Sequence, residues 1–458
     1  MKGRAVSRGN VGDPNAGSLY TEHFGVNALP LSCLLMALGA ESIHIVNGDA
    51  TMSWVTSRGP YADGAGRAKA AVWEEMTAST RAILREVLLC GPLTRAELAR
   101  RLFLSPASLT MLTRPLIRQG LLVRETTSLQ ARSGRPSEPL EVDAAWQQVI
   151  GVKLTADDLF AVTTDLRGRV MQEYQRELAT CDVDEVVEQV SKAISTLDRA
   201  NEVGAVGISL AANVLPDDSA VREAPYLGWK DVPLARLVGQ RVGCPVVLSN
   251  DVRALTAAQH WFGAGNGSSN FAVLTVGKGV GCGLVVNDAI VGGNDGHAGL
   301  VSHLPVRDGG PFCQRGHRGC ASSYLTSGAI VRSLSVTNEG GANTFDKCLL
   351  LACNGDPPAR RAFADACYAL GVVTAHVVNL LGPDRVVLSG EAIGMYELNP
   401  EAVAEAIADR IHGSASSFEL VVAPFAFSEW ARGAAVAAIQ SLVGGGPGGS
   451  ATARRHLT

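Results

Sequence analysis

Thr94-Arg95-Ala96-Glu97-Leu98-Ala99-Arg100-Arg101-Leu102-Phe103-Leu104-Ser105-Pro106 holds two helix starts and one helix end in a single short stretch. Thr94 followed three residues later by Glu97 is a capping box: the hydroxyl accepts the third amide while the carboxylate reaches back to the first. Ser105-Pro106 is a second start, a cap residue followed by the imino acid that fits the first helical position. Between them Phe103-Leu104-Ser105 leaves room only for a tight turn. Two short helices across such a turn, the second well capped, form a helix-turn-helix.

Working outward, Ile83, Leu84, Val87 and Leu88 form the apolar stripe of a preceding helix that ends at Cys90-Gly91-Pro92. Leu109, Leu112 and Leu116 give the helix after Ser105 its buried side. Its other side carries Ala107, Ser108, Thr110, Met111 and Arg114, small or polar groups suited to a major groove. Pro115 predicts a bend, because it removes one ladder bond. Leu121-Leu122-Val123 and Leu140-Glu141-Val142 read as a hairpin whose tip, Arg132-Ser133-Gly134-Arg135-Pro136, is basic. Ten arginines and five glutamates between Thr80 and Glu141 give this stretch a local charge of +5 in a chain of net charge −4. A basic reading head on an acidic body predicts double-stranded DNA as partner, with Ser105, Ser108, Thr110, Met111, Arg114, Arg132 and Arg135 as candidate contacts. A small helical bundle serving protein contacts is the structural alternative.

The whole chain has 458 residues, 47% of them hydrophobic, enough to bury several cores. Wholesale disorder is thereby excluded. No uninterrupted apolar run reaches the roughly 18–20 residues of a membrane span, so no membrane partner is expected. Ten scattered cysteines suit a reducing, cytoplasmic setting better than a small disulfide scaffold. Residues 1–70 lack periodicity and read as a disordered leader, or as an overlong start with translation beginning at Met52 or Met76. Ala28 to Ala40 has the length of a signal-peptide core, but Glu22 and His23 precede it closely.

From Gln148 onward, β-branched runs alternate with alanine-rich helical stretches. Val149–Leu154, Phe160–Thr164, Gly204–Leu210 and Pro245–Ser249 read as strands and Val186–Ala200 as a helix, which predicts an α/β sheet layered with helices.

Taken in order, the helix-turn-helix, Ser249-Asn250-Asp251-Val252-Arg253-Ala254, the glycine loop Gly277-Lys278-Gly279-Val280-Gly281-Cys282-Gly283 and the His/Cys stretch at 297–320 resemble the ROK family (repressors, open reading frames, kinases). The resemblance covers about Thr80 to Val443. It implies a winged helix-turn-helix followed by a two-lobed actin-like ATPase (ribonuclease H-like) body of α/β class. The expected parts are a head at 71–145, a first lobe at 146–262 completed by a C-terminal helix at 428–444, a second lobe at 263–427, and a flexible tail at 445–458.

In the family's kinases an Asp-x-Gly-x-Thr loop holds the nucleotide phosphates. Here the matching residues are Lys153-Leu154-Thr155-Ala156-Asp157, without the aspartate and the glycine, so no ATP is expected. Asn250 and Asp251 match the family's sugar-binding asparagine and catalytic base, the latter vestigial, and together with His303 they are the candidate ligand contacts. Alternatively Asp251 is simply the N-cap of a helix over Val252–Phe262. Leu300 and Ser322 stand where the family has sugar-gripping glutamates. The family's zinc set is one histidine and three cysteines; His303, Cys313 and Cys320 remain, with Arg315 in place of the second cysteine. Either His317 completes a zinc site, or Arg315 fills the vacancy and the loop is metal-free. The resemblance therefore implies a repressor, acting as a homodimer or homotetramer and answering to a small sugar-like effector. The rival is an ATP-dependent hexose or N-acetylhexosamine kinase with an added control domain.

Overall fold

The computed structural model describes residues 65–124, 138–198, 202–293, 296, 298–335, 343–413 and 417–445. Residues 1–64 of the expected leader, the wing tip with Arg132 and Arg135, and the tail beyond Gly445 lie outside the described residues; the last six residues of the expected leader, 65–70, are helical instead and belong to the head.

The head begins with α1 (Ala65–Glu75) and α2 (Ala78–Cys90), then α3 (Arg95–Arg101) and α4 (Pro106–Arg118). The Thr94–Glu97 capping box is formed, and Ser105 caps α4 through the amide of Ser108 at 3.1 Å. The turn between them puts Phe103 at φ 53°, with its ring 93% exposed. The bend expected at Pro115 does not interrupt α4, which runs through it to Arg118. The carbonyl that loses its partner is that of Met111, on the exposed side of the helix, where water can replace the missing bond. β1 (Leu122–Arg124) and β2 (Leu140–Val142) pair antiparallel, Leu122 opposite Val142, as a wing.

The first lobe contains β3 (Gln148–Leu154), β4 (Asp158–Thr164), β5 (Val170–Glu177), α5 (Val183–Leu197), β6 (Val203–Leu210), β7 (Asn213–Val214), β8 (Val221–Ala224), β9 (Trp229–Val232), α6 (Leu234–Val242), β10 (Val246–Asn250) and α7 (Asp251–Phe262). Its main sheet has the order β10-β6-β3-β4-β5. The central strands are buried on both faces, which is why they read as unbroken β-branched runs. Only the edge strand β5 is studded with polar residues.

The second lobe contains β11 (Phe271–Val276), β12 (Val280–Val286), β13 (Ala289–Ile290), α8 (Ala321–Leu325), α9 (Ser327–Ser335), α10 (Phe345–Cys353), α11 (Pro357–Leu381), β14 (Arg385–Ser389), α12 (Pro400–Ala408) and β15 (Glu419–Val422). Its sheet has the order β13-β12-β11-β14-β15. α11 is long and apolar enough to cross a membrane by composition, which no uninterrupted run in the sequence suggested. Phe363, Leu370, Val373 and Val378 on this helix are instead buried in the core of the second lobe.

The chain then returns to the first lobe as α13 (Ser428–Gly444), which lies across β3, β6 and α7. The approach is close because both surfaces are small. A Cβ on Gly151 would stand 1.9 Å from the Ala431 carbonyl oxygen, and one on Gly207 would stand 1.8 Å from that of Ala434. Ala435, Val436, Ile439 and Val443 of α13 share one apolar cluster with Ile83, Leu84, Val87 and Leu98 of the head. The head is therefore docked on the body by side-chain packing as well as by the chain connection.

Candidate functional site

Three places carry functional chemistry. The first is the exposed side of α4. Thr110, Met111 and Arg114 face solvent there while Leu109, Thr113 and Leu116 face the core. Local bonds engage three hydroxyls: Ser105 and Ser108 bond each other at 2.8 Å, and Thr110 donates to the Pro106 carbonyl at 2.8 Å. Met111, 68% exposed, and Arg114, without an ion pair among the described residues, are left as the side chains free to reach outward. Arg118, exposed in the last turn, continues the same side and was not among the residues singled out from the sequence.

The second place is the cleft between the lobes, a cavity of 430 Å³. Lys153, at the end of β3, donates to Asp251 Oδ2 at 2.6 Å. The two side chains are 5% and 14% exposed, so the pair is shielded from water. The lysine ammonium also stands 5.2 Å from the centre of the Trp430 ring in the first turn of α13. Asp251 is not the helix cap: Asn250 is, its side-chain oxygen accepting the amides of Val252 at 3.0 Å and Arg253 at 3.3 Å. The Asn250 amide donates to the Ala212 carbonyl at 3.1 Å, so both ends of that side chain are occupied. Of the three ligand contacts expected from sequence, Asp251 lines the cavity, while Asn250 and His303 are not among its lining residues. The glycine loop faces the cavity from the second lobe. There Glu391 Oε1 accepts the Lys278 amide at 3.0 Å, and the Lys278 ammonium reaches Asp157 across the mouth at 3.4 Å. The sequence did not single out Phe427 or Trp430, because nothing local in them signals that they will meet a distant loop; the stretch Arg385–Glu391 resembles a family strand-turn near the nucleotide, but not a cap on the Lys278 amide.

The third place is the loop after β13. His303 Nδ1 lies 3.8 Å from Cys313 Sγ and 3.5 Å from Cys320 Sγ, and His317 Nδ1 lies 3.7 Å from Cys313 Sγ. All four donor atoms fall within 4.8 Å of one another. A tetrahedral zinc with ordinary Zn–N and Zn–S bonds needs donor separations of about 3.6 Å, so the set fits that ion. Arg315 is exposed and does not fill the vacancy; the His317 nitrogen stands with the other three donors instead. Burial by itself raises the Cys313 thiol, but hydrogen bonds from the Arg315, His317 and Gly316 amides together with the Cys320 side chain hold it below its ordinary range. Burial, with His317 and Arg315 nearby, holds His303 low, which favours its neutral, metal-binding form.

The ROK family profile matches residues 149–441. The chain belongs to the ROK family. Residues 76–123 of this ROK protein match a second profile, a winged helix-turn-helix DNA-binding domain. It is 26% identical over 326 residues to the DNA-binding transcriptional dual regulator NagC of Escherichia coli, covering 68% of this chain and 80% of that one. Among solved structures it is similar to a ROK family transcriptional regulator homologous to E. coli MLC, with a TM-score of 0.69, 24% identity, and coverage of 80% of this chain and 95% of that one. It is also similar to a ROK glucokinase of Streptomyces griseus solved with glucose and AMPPNP, with a TM-score of 0.56, 26% identity, and coverage of 64% and 99%. The winged head followed by an actin-like body is thus the fold of a ROK regulator, and the kinase likeness spans the body alone.

Proposed function

We propose that this DNA-binding ROK regulator is a repressor, controlled by a small sugar-like effector held between the two lobes. It would act in the cytoplasm as a homodimer or homotetramer, with two heads reading the half-sites of a two-fold operator. The observation that carries the reading is the core shared by head and body, in which Ile83 and Leu84 pack in one cluster with Val436 and Ile439 of α13. A change in the cleft then alters the seat of the head. Coupling of roughly 1–3 kcal/mol would suffice for a useful change in operator affinity. The test is DNA binding by the purified chain with and without candidate sugars, read by fluorescence anisotropy. Affinity unchanged by any effector would leave a repressor whose body serves only assembly.

The kinase reading draws on the retained Asp251. A catalytic base must be free to take a proton from the attacking hydroxyl. The Lys153 ammonium at 2.6 Å opposes this, because it occupies the Asp251 Oδ2 that the hydroxyl would have to reach. A nucleotide's phosphates would also compete with Glu391 for the Lys278 amide. Sugar-dependent ADP formation that is lost in Asp251→Asn would decide for the kinase.

His303, Cys313, His317 and Cys320 are proposed to hold one structural zinc, which would tie the loop after β13 to the start of α8. With four protein donors the ion has no open position for substrate, so its contribution is to order this edge of the second lobe.

A further inference from the structure

The inter-lobe cavity has a chemistry of its own. Leu154, Leu227, Val276, Val280, Phe427 and Trp430 wall it with apolar surface. Phe427 is held in place by Phe160, their ring centres 4.3 Å apart. At 430 Å³ it falls within the size of small-molecule sites, which are mostly apolar with a few placed polar groups. Those polar groups are already matched inside the protein. Lys153, only 4% exposed, is held on Asp251, and Glu391 covers the loop amide of Lys278.

An incoming phosphate would meet the carboxylates of Asp157, Asp251 and Glu391 against the ammonium groups of Lys153 and Lys278. It would also have to displace Glu391 from the amide that could bind it, and a Cβ on Gly277 would stand only 2.1 Å from Glu391 Cδ, so the carboxylate lies directly over the loop. A small free sugar satisfies its hydroxyls here but leaves the half-buried ring of Phe427 and the exposed ring of Tyr226 uncovered.

We propose that the cavity takes an uncharged, non-phosphorylated ligand with an aromatic or aliphatic group that lies against Phe427 and Tyr226, and a hydroxylated edge that meets the Lys153–Asp251 pair. A glycoside with an apolar aglycone is the simplest molecule with both features. The proposal rests on reading this cleft as the effector site, and it narrows the effector from sugars in general to this class. Phe427, half-buried, supplies the open aromatic surface, Trp430 backs it from the core at 5% exposed, and Tyr226, 65% exposed, stands at the mouth.

The test uses the full chain and the uncharged dye phenylnaphthylamine, whose emission rises in an apolar site. The dye should bind saturably and be displaced by at least one of a panel of nitrophenyl glycosides. The parent free sugars, the corresponding sugar phosphates and Mg·ATP should leave it bound. Phe427→Ala should weaken the dye about tenfold or more, and Tyr226→Ala, at a solvent-facing position, should weaken it less without touching the fold. Absence of saturable binding, displacement by Mg·ATP or sugar phosphates, displacement by none of the glycosides, or binding unchanged in both variants would overturn the proposal. None of these readouts involves DNA, so their failure leaves the DNA-binding reading intact, and loss of DNA binding leaves this one intact.

Discussion

Lys153 and Asp251, 98 residues apart in the chain, meet at 2.6 Å where the end of β3 faces the start of α7. Both side chains line the cavity between the lobes. The two charges form a pair that is complete by itself.

Removing one member leaves a shielded charge uncompensated, which costs about 3–5 kcal/mol. Lys153→Met and Asp251→Leu should each lower stability by about that amount in urea unfolding, and the double variant should recover most of it. Single variants within about 0.5 kcal/mol of the wild type would show that the pair holds nothing together.

Arg81 joins the head to the far end of α13. Its guanidinium donates to the carbonyls of Trp73 and Leu442, and to that of Met76 at 3.2 Å. Trp430 opens the same helix at the cleft, so a single rod of about 25 Å connects the two. Arg81→Ala should speed hydrogen exchange at the start of α2 and over Ser441–Gly445 while leaving β14 unchanged. Unchanged exchange at both ends would remove this helix from the route between cleft and head.

Much of this was legible in the residues. The capping box, the Ser105-Pro106 start and the wing strands announced the head, because caps and turns are local chemistry. The central strands of the first lobe were legible as apolar runs, whereas β11 of the second lobe, equally apolar, was not picked out. The closed cleft was only half legible. Lys153 was visible as a misplaced residue, but its pairing with Asp251 depends on sheet register and was not. The aromatic wall was hidden altogether, since Phe427 and Trp430 reach the cleft only because α13 folds back across Gly151 and Gly207. The choice between His317 and Arg315 likewise needed the loop's path, because spacing alone left both open.

The four-donor set predicts one zinc per chain by metal analysis of the native protein. Chelation should lower the melting temperature, because the ion binds the folded state. His317→Ala should weaken retention of the metal, and Arg315→Ala should leave it unchanged. Equal retention in both variants would remove His317 from the site.

His260, near the end of α7 with its ring 5.6 Å from that of Phe271, is held below the ordinary histidine range by burial, and by Arg85 against the opposing pull of Asp288. The unfolded chain takes up this proton near pH 6.5 and the folded one only at lower pH. The unfolded state therefore binds more protons in between, so this contribution is complete above about pH 6.5 and is lost as the pH falls below it. His260→Phe should lose less stability than the wild type between about pH 7.5 and 5.5. Equal losses would place the acid sensitivity elsewhere.

The proposal on which the rest depends is that α4 reads DNA with Arg114 as a contact. It is tested most directly by measuring binding of the full chain to fragments of its own genome over a series of salt concentrations, beside Arg114→Ala. A small set of fragments should be retained, with affinity that falls steeply as salt rises. Arg114→Ala should weaken those fragments about tenfold or more, in line with the loss of one base or phosphate contact. Retention of no fragment above random sequence, or identical curves for the wild type and the variant, would contradict the account.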